Sequence, residues 1–287
     1  YQLSAGNLIF ISRKTMCIVA IAWQLFDELP LVLLSNRDEF LQRPTAPLHQ
    51  WEDKPIYAGR DKQSGGTWLG IHQQQHGDFY DQNGRWAAVL NFRDGVQASN
   101  DERSRGELVT DFLTSTLNPL EFARQISLQD YAGFNLVIGD TAQAVIVNNR
   151  GHAPTPLYAG LYVISNGQPE EGWFKTERLR GRLRQEVLPL ISENSALDYW
   201  QAAAFAVMSD NTPAPENKLP ETGVAKQIER ALSSIYIESA DLSSMNKTAM
   251  PSYGTRTQSI LTLRKEDSSD KKIKAALISR ECQHRQI

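Results

Sequence analysis

The 287-residue sequence predicts an α+β fold, with strands in two groups and helices between and beside them. Two kinds of pattern support this prediction: short apolar runs bounded by turn residues, and longer stretches with apolar residues at helical spacing. With 41% apolar residues and a net charge of −3, the chain is long and apolar enough to bury a full core. Periodicity alone leaves open whether the strands form two sheets or one large sheet.

The first element that we expect is a β-hairpin near the start of the chain. Two apolar runs, Ile18–Trp23 and Leu31–Leu34, flank a short polar break. In an antiparallel hairpin centred on that break, opposing residues have numbers that sum to roughly 54–56. Cys17 should therefore face Arg37 or Asp38. This register places a thiol, a guanidinium and two carboxylates at one end of the ribbon.

The next stretch is expected to combine a loop with short strands. Residues 42–59 are rich in proline and predict an irregular surface loop. The Gly-Gly pair in residues 65–71 predicts a tight turn that leads into a strand, and residues 85–92 predict another strand. We interpret Arg60 and Asp61, just before the turn, as a solvated loop pair.

Residues 72–83 (HQQQHGDFYDQN) look like a polar insertion between two strands. Their histidines stand four residues apart, which is a helical spacing for metal ligands, but the segment has no helical pattern. No metal site and no cofactor are therefore expected.

Helices and strands alternate through the rest of the chain. Apolar spacing predicts a helix over residues 105–117, and Asn118 followed by Pro119 is typical of a second helix start. Further strands are predicted at residues 134–139, 144–148, 161–165, 252–263 and 272–279, and further helices at residues 173–190, 197–208 and 226–237.

The first methionine, Met16, stands immediately before Cys17. Residues 1–15 contain an apolar run of only about four residues, too short for a signal-peptide core or a membrane span. We interpret residues 1–15 as a cleaved leader or as a start assigned too early, and residues 16–287 as one domain. If Met16 is removed, Cys17 carries a free α-amine beside its own thiol, and such an amine can act as general base.

A series of motifs running in order along the chain resembles the NRDE family (Transport and Golgi organization protein 2-like). The motifs are MCIVAIAW, SNRDEF, AGRDKQSGGTWLG, GRWAAVLNFRD, RSRGELV, GFNLVIGD, YVISN and YGTRTQSILTL. That family resembles the N-terminal-nucleophile (Ntn) cysteine hydrolases. The resemblance implies a four-layer αββα sandwich, with two antiparallel sheets between helices. The site residues that it implies are Cys17, Arg37, Asp38, Asn91, Asn166 and Arg256.

Each implied residue has a chemical role and a structural alternative. Cys17 would be the nucleophile, although a cysteine in an apolar run is commonly an inert core residue. Arg37 would lower the pKa of the thiol. Asp38, ionised beside Arg37, would orient the α-ammonium of Cys17.

The remaining three residues would bind the substrate. Asn91 or Asn166 would donate to a developing oxyanion, although an asparagine at a strand end is also a common turn former. Arg256 would anchor a carboxylate or phosphate. Alternatively, it pairs with an acidic side chain across a sheet.

Composition excludes several functional classes. A pI near 6.0 favours no nucleic-acid partner, and no apolar run reaches membrane-spanning length. Two cysteines cannot form a disulfide framework, which indicates a reducing, cytoplasmic location. Fingerprints of serine triads, P-loops and dinucleotide-binding folds are missing from the sequence.

We therefore expect an Ntn-type cysteine amidohydrolase or acyltransferase that acts on the amide C–N bond, or the thioester, of a small acylated substrate. The alternative is a non-catalytic intracellular carrier that holds haem, acyl-CoA or a lipid in the same cleft. The mass of the mature protein separates the two, because the Ntn mechanism requires Cys17 to be the first residue.

Overall fold

The computed structural model describes residues 16–76, 79–94, 101–223, 225–239, 252–266 and 273–284. The strands are β1 (Cys17–Trp23), β2 (Leu31–Phe40), β3 (Thr45–Gln50), β4 (Ile56–Asp61), β5 (Leu69–His72), β6 (Gln74–His76), β7 (Phe79–Asp81), β8 (Trp86–Asn91), β9 (Phe134–Gly139), β10 (Ala144–Asn148), β11 (Thr155–Pro156), β12 (Gly160–Ile164), β13 (Tyr253–Lys265) and β14 (Ile273–Glu281). The α-helices are α1 (Arg105–Thr114), α2 (Pro119–Gln125), α3 (Phe174–Arg182), α4 (Leu188–Ser192), α5 (Leu197–Met208) and α6 (Lys226–Ala231).

Within the described residues, the strands form two main sheets and a small ribbon. The five-stranded sheet has the order β12-β1-β2-β13-β14, and the seven-stranded sheet has the order β11-β10-β9-β8-β5-β4-β3. Strands β6 and β7 pair with each other. Neighbouring strands are antiparallel throughout these sheets, which confirms the predicted strand arrangement.

The hairpin of β1 and β2 has the register that the sequence predicts. Cys17 lies opposite Arg37, so the residue numbers sum to 54. Both strands are almost entirely buried because the hairpin lies in the middle of the five-stranded sheet. Alternation along a strand sends odd-numbered residues of β1 to one face and even-numbered residues to the other.

The face that carries Cys17 packs against the other sheet. Val19, Ile21 and Leu33 from the five-stranded sheet share one apolar cluster with Trp86 and Val137 from the seven-stranded sheet. All five side chains are buried, so this cluster is the core between the sheets.

The outer face of each sheet packs against helices. Ile18 and Leu34 lie in a cluster with Trp200 of α5, and Ala87 of the seven-stranded sheet lies with Phe112 of α1. The order of layers is therefore helices, seven-stranded sheet, five-stranded sheet, helices. This order confirms the four-layer αββα architecture and settles that the strands form two main sheets.

The prediction of an irregular loop over residues 42–59 is wrong. Most of this segment forms β3 and β4 at the edge of the seven-stranded sheet. Proline lacks an N–H group but is tolerated in an edge strand, and Pro47 lies where the β3–β4 register shifts. Prolines in the sequence therefore indicated an edge strand rather than a loop.

The helix predicted over residues 173–190 is interrupted. It consists of α3, a π-helical turn at Leu183–Val187, and α4. Pro189 stands in the first turn of α4 and has no N–H to donate to the preceding turn, which accounts for the local widening. The helix predicted to reach residue 237 ends earlier, at Ala231.

Two parts of the histidine-containing insertion, Gln74–His76 and Phe79–Asp81, form short strands. Gln74–His76 is a strand, so the i,i+4 helical spacing of the two histidines is not realised. Among the described residues, no group of three or more His, Cys, Asp or Glu side chains is arranged to hold a metal ion. In the same part of the chain, no helix has the length and apolarity that a membrane crossing requires.

Candidate active site

Cys17 borders a cavity of about 340 Å³ at one end of the sandwich. Strand β1 begins at Cys17, and the hairpin register brings Arg37 beside it. The opposite wall comes from the Gly-Gly turn before β5, the end of β8, and the start of α1. The site residues predicted from the sequence that border this cavity are Cys17, Arg37, Asp38 and Asn91.

The Arg37 side chain is buried and held on several sides. Its guanidinium forms ion pairs with Glu39 at 3.5 Å and with Asp61 at 3.4 Å. It also stacks over the ring of Trp68, with 4.2 Å between Cζ and the ring centroid. These contacts fix the orientation of the guanidinium and share its positive charge between two carboxylates.

Asp38 lies on the other face of β2, because strand alternation turns it away from Arg37. Thr255 on β13 donates a hydrogen bond of 2.6 Å to Oδ1 of Asp38, while Oδ2 has no hydrogen-bond partner among the described residues. Burial raises the pKa of Asp38 to about 7, despite opposing effects from Lys175 and the Thr255 hydroxyl. The prediction of a fully ionised Asp38 is therefore wrong, because desolvation outweighs the nearby cations.

Burial also raises the pKa of the Cys17 thiol. Desolvation, followed by the charge of Asp38, raises the pKa of Cys17 to about 12, and the smaller effect of Arg37 does not offset this rise. Arg37 lowers the thiol pKa, as expected, but burial and the charge of Asp38 outweigh it, so the thiol is not acidic. The pKa of Cys282 rises only to about 11, since that residue is less buried.

Met16, directly before Cys17, is buried. Its backbone nitrogen donates to the Tyr253 hydroxyl, and its sulfur lies 2.8 Å from Nη1 of Arg93. The carbonyl of Met16 accepts a hydrogen bond from the Asp38 amide at 3.1 Å. While this residue is attached, the Cys17 nitrogen is an amide and cannot act as a base.

Asn166 connects the Cys17 nitrogen to the end of β8. Its Oδ1 accepts a hydrogen bond from the Cys17 nitrogen at 3.1 Å, and its Nδ2 donates to the carbonyl of Asn91 at 2.8 Å. Ser165 contributes a hydroxyl 3.0 Å from the same Oδ1. The Asn166 side chain therefore positions the Cys17 nitrogen, and of the two asparagines Asn91 borders the cavity.

Arg256 does not border the cavity. It lies in the bulge of β13, where the register with β2 shifts between Thr255 and Thr257. Its Nη1 donates to the carbonyls of Phe40 and Arg43. The structure therefore places Arg256 behind the site, where it holds the chain that follows β2.

Three further features of the site were missed in the sequence. Asp61, interpreted as a solvated loop residue, pairs with Arg37 and with Arg43, the latter at 2.7 Å. Trp68 could have been identified from its place in the GGTWLG motif. Nothing in the sequence marks Lys175 as a site residue, because it lies in an ordinary charged helix. Only folding brings it to Asp38.

The Gly-Gly turn owes its small residues to close packing. A Cβ on Gly66 would lie 2.7 Å from the backbone of Gly106, the second residue of α1. Gly65 has a φ of +79°, a left-handed conformation that favours glycine. The turn can therefore approach the start of α1 and close one wall of the cavity.

Comparisons with known proteins agree with these observations. The model of the family "Transport and Golgi organisation 2" matches residues 16–272. The chain is similar to the Transport and Golgi organization protein 2 homolog of Homo sapiens, with 31% identity over 80% of this chain and 81% of that protein. It is also similar to the Bos taurus homolog, with 30% identity over the same shares, and to the Drosophila melanogaster protein, with 33% identity over 44% of this chain and 47% of that protein.

Among solved structures, the Caenorhabditis elegans N-acylethanolamine-hydrolyzing acid amidase ortholog aligns with a TM-score of 0.43 and 11% sequence identity. The alignment covers 76% of this chain and 98% of that one. The family match extends over most of the sequence and contains the hairpin, both asparagines and the Gly-Gly turn. The chain therefore belongs to the Transport and Golgi organisation 2 family.

Proposed function

We propose that the protein is an N-terminal-nucleophile cysteine amidohydrolase or acyltransferase, with Cys17 as the nucleophile. The observation that supports this proposal best is the hydrogen bond from the Cys17 nitrogen to Asn166. Cys17 itself borders the cavity. Asn166 holds the nitrogen that would serve as the base, and the hairpin presents the sulfur of the same residue to a substrate. The proposal requires removal of Met16 and the residues before it.

The reaction then proceeds in two steps. The Cys17 amine accepts the thiol proton while the sulfur attacks the substrate carbonyl, and the Asn91 side chain donates to the resulting oxyanion. The amine passes the proton to the leaving nitrogen as the C–N bond breaks. Water, or an acceptor nucleophile, then attacks the thioester and regenerates the thiol.

The high pKa of the thiol makes a base on the same residue necessary. A thiol whose pKa is raised by burial is almost entirely protonated near neutral pH and does not act as a nucleophile by itself. A base within one residue's length can remove the proton during attack, so that no free thiolate has to form in the buried site.

The lining of the cavity favours a small polar substrate. Charged residues of both signs border it: Arg37, Arg43, Arg103, Arg105, Asp38, Glu39, Asp61 and Glu102. Pockets for lipid or haem are walled mainly by apolar side chains, whereas this one offers many hydrogen-bonding groups. We therefore propose an acylated amide or thioester with polar substituents.

A carrier of haem, acyl-CoA or lipid is the alternative function for a chain in which the Met16–Cys17 bond remains intact. In that state the amine is an amide, and the cleft can bind but cannot follow the Ntn mechanism. A cytoplasmic location also stays a prediction, motivated by the unpaired thiols of Cys17 and Cys282.

Intact mass and acylation together test the proposed function. The full chain is expressed in its native host, its N-terminus is identified by mass spectrometry, and it is then incubated with a small acyl amide bearing a chromogenic amine. We expect a chain that begins at Cys17 and gains one acyl group on that residue. Cys17→Ala is the control and should gain none. A mature chain that starts upstream of Met16, or equal turnover by Cys17→Ala, contradicts the proposal.

A further inference from the structure

Lys175 is a buried charged residue without a hydrogen-bond partner. It lies in the first turn of α3, is only 2% exposed, and its Nζ has no partner among the described residues. Burying an ammonium group without hydrogen bonds is costly, so such a group is seldom retained for stability. This placement calls for an explanation in terms of the charges around Lys175.

The charged groups around Lys175 come from several elements. Asp38 on β2, Arg93 after β8, Cys17 on β1 and Glu229 on α6 all act electrostatically on its ammonium group. Arg93 and Glu229 form an ion pair of 2.5 Å with each other, and both side chains are almost fully buried. Their charges therefore largely compensate, and Asp38 is the principal counter-charge for Lys175.

Asp38 and Lys175 influence each other without forming an ion pair in direct contact. The unpartnered atoms on the two residues are Oδ2 of Asp38 and Nζ of Lys175. Burial lowers the pKa of Lys175 to about 8, and the charge of Asp38 is the largest effect that opposes this shift. Oδ2 of Asp38 can therefore accept a further hydrogen bond, and Nζ of Lys175 can donate one.

The Cys17 nitrogen follows Met16, which packs in one apolar cluster with Tyr253 and with Trp173, two residues before Lys175. The Asp38 amide donates to the carbonyl of Met16, the atom group directly bonded to that nitrogen. Tyr253 packs against Met16 and contributes a neutral hydroxyl, because burial and Asp38 raise the pKa of Tyr253 well above its usual value. When the Met16–Cys17 bond is cut, the new α-amine forms next to Asp38, within the field of Lys175.

We propose that Lys175 is a positioning residue that keeps the α-amine of Cys17 neutral and able to accept a proton. This inference rests on the proposed function. An ionised Asp38 alone would hold the amine as an ammonium ion, which cannot act as a base. Lys175 supplies the counter-charge for Asp38 and repels a second positive charge at the amine. Asn166 can then orient the neutral amine through Oδ1.

The pKa of the Cys17 α-amine in the processed protein is the decisive measurement. Competitive labelling of the amine with acetic anhydride across pH, quantified by mass spectrometry of the N-terminal peptide, reports this pKa without any need for turnover. In the wild-type protein we expect a value below the ordinary 7.7–8.0 of an α-amine. Lys175→Met should raise it by about one pH unit, so that acylation near neutral pH falls about fivefold.

Two variants separate charge from structure. Lys175→Arg retains the charge and should keep the low amine pKa, whereas Lys226→Met makes the same side-chain change at an exposed lysine on α6 and should leave the pKa unchanged. Lys175→Met also removes the counter-charge of buried Asp38, so the melting temperature is expected to fall for either role and the amine pKa is the readout that separates them. A merely structural lysine would leave the amine pKa unchanged.

The outcomes distinguish this inference from the proposed function. A wild-type amine pKa at or above 7.7–8.0, or an equal pKa in wild type and Lys175→Met, overturns the role of Lys175 alone. A pKa that shifts as expected in a protein that forms no acyl-enzyme supports Lys175 and contradicts the proposed function. A mature chain without a Cys17 amine overturns both.

Discussion

The backbone nitrogen of Cys17 donates a hydrogen bond of 3.1 Å to Oδ1 of Asn166, a residue 149 positions further along the chain. Cys17 begins β1, and Asn166 follows the neighbouring strand β12. Antiparallel pairing brings the start of one strand beside the end of the other, so the contact results directly from sheet order. The same asparagine side chain donates to Asn91, which links the two sheets at this end of the sandwich.

Asn166 and Asn91 should differ in their effects on stability. Asn166→Ala leaves the carbonyl of Asn91 without its donor and the Cys17 nitrogen without its acceptor, in a fully buried position. We expect it to lower the free energy of unfolding by about 1–3 kcal/mol. Asn91→Ala should cost less, because that side chain borders the cavity. Urea unfolding of the two variants measures the difference, and equal losses would contradict the assigned positions.

The two asparagines should also differ in their effects on catalysis. If Asn91 donates to the oxyanion, Asn91→Ala should slow acylation of Cys17 by about 10²–10³-fold in a protein that remains folded. The rate of acyl-enzyme formation from a small amide, followed by mass spectrometry in a single turnover, gives this value. Acylation of Asn91→Ala at the wild-type rate would remove Asn91 from the mechanism.

Cysteine labelling should reveal the high pKa of the Cys17 thiol. In the chain with Met16 attached, the pKa values of about 12 for Cys17 and about 11 for Cys282 mean that both thiols ionise only at alkaline pH, Cys282 first. Iodoacetamide labelling as a function of pH should therefore modify Cys282 before Cys17. Cys282→Ser provides the control in which the Cys17 profile is read alone. A Cys17 that labels at lower pH than Cys282 would show that Arg37 outweighs burial.

Asp38 should make stability depend on pH in a direction that is unusual for an aspartate. Its pKa is raised from 3.8 to about 7 in the folded protein, so the folded state binds more protons than the unfolded state between these values. The contribution of Asp38 to stability is thus fully present below about pH 4 and is lost as pH rises through about 7.

Asp38→Asn removes this titration and keeps an oxygen that can accept from Thr255. We therefore expect wild type to lose stability relative to Asp38→Asn as pH rises from about 4 to about 7. Urea unfolding at several pH values in this window measures the difference in the free energy of unfolding. A difference that stays constant, or that changes in the opposite direction, would indicate an Asp38 pKa that is not raised.

Two glycine substitutions test the wall of the cavity. A Cβ on Gly66 would lie 2.7 Å from the backbone of Gly106, so Gly66→Ala must push the turn away from α1. Overpacking of this kind costs about 1–3 kcal/mol, and the change should also alter access to Cys17. Gly181→Ala is the matched control: it lies within α3, has nothing within 4 Å, and should stabilise by about 0.4–1 kcal/mol. In thermal melts, Gly66→Ala should lower the melting temperature and Gly181→Ala should raise it.

Much of the architecture followed from local pattern. Strand β9 and helix α5 occur at their predicted bounds, because each is a run of one periodicity with clear boundaries. The register of Cys17 with Arg37 followed from the symmetry of the hairpin about its polar break. By contrast, the strands within residues 42–59 were missed, since an edge strand tolerates prolines that usually mark loops.

The order of residues along the chain specifies which chemical groups this protein carries, and the strand order brings Cys17 and Asn166 together. The electrostatic state of these groups depends on how the layers pack. Arg37 beside Cys17 suggested an acidic thiol, but packing on both faces of the sheet removes water from Cys17 and Asp38 and raises both pKa values. The position of Lys175 likewise depends on how α3 packs against the hairpin. Desolvation and long-range charge depend on all surrounding layers at once, and no local stretch of sequence contains that information.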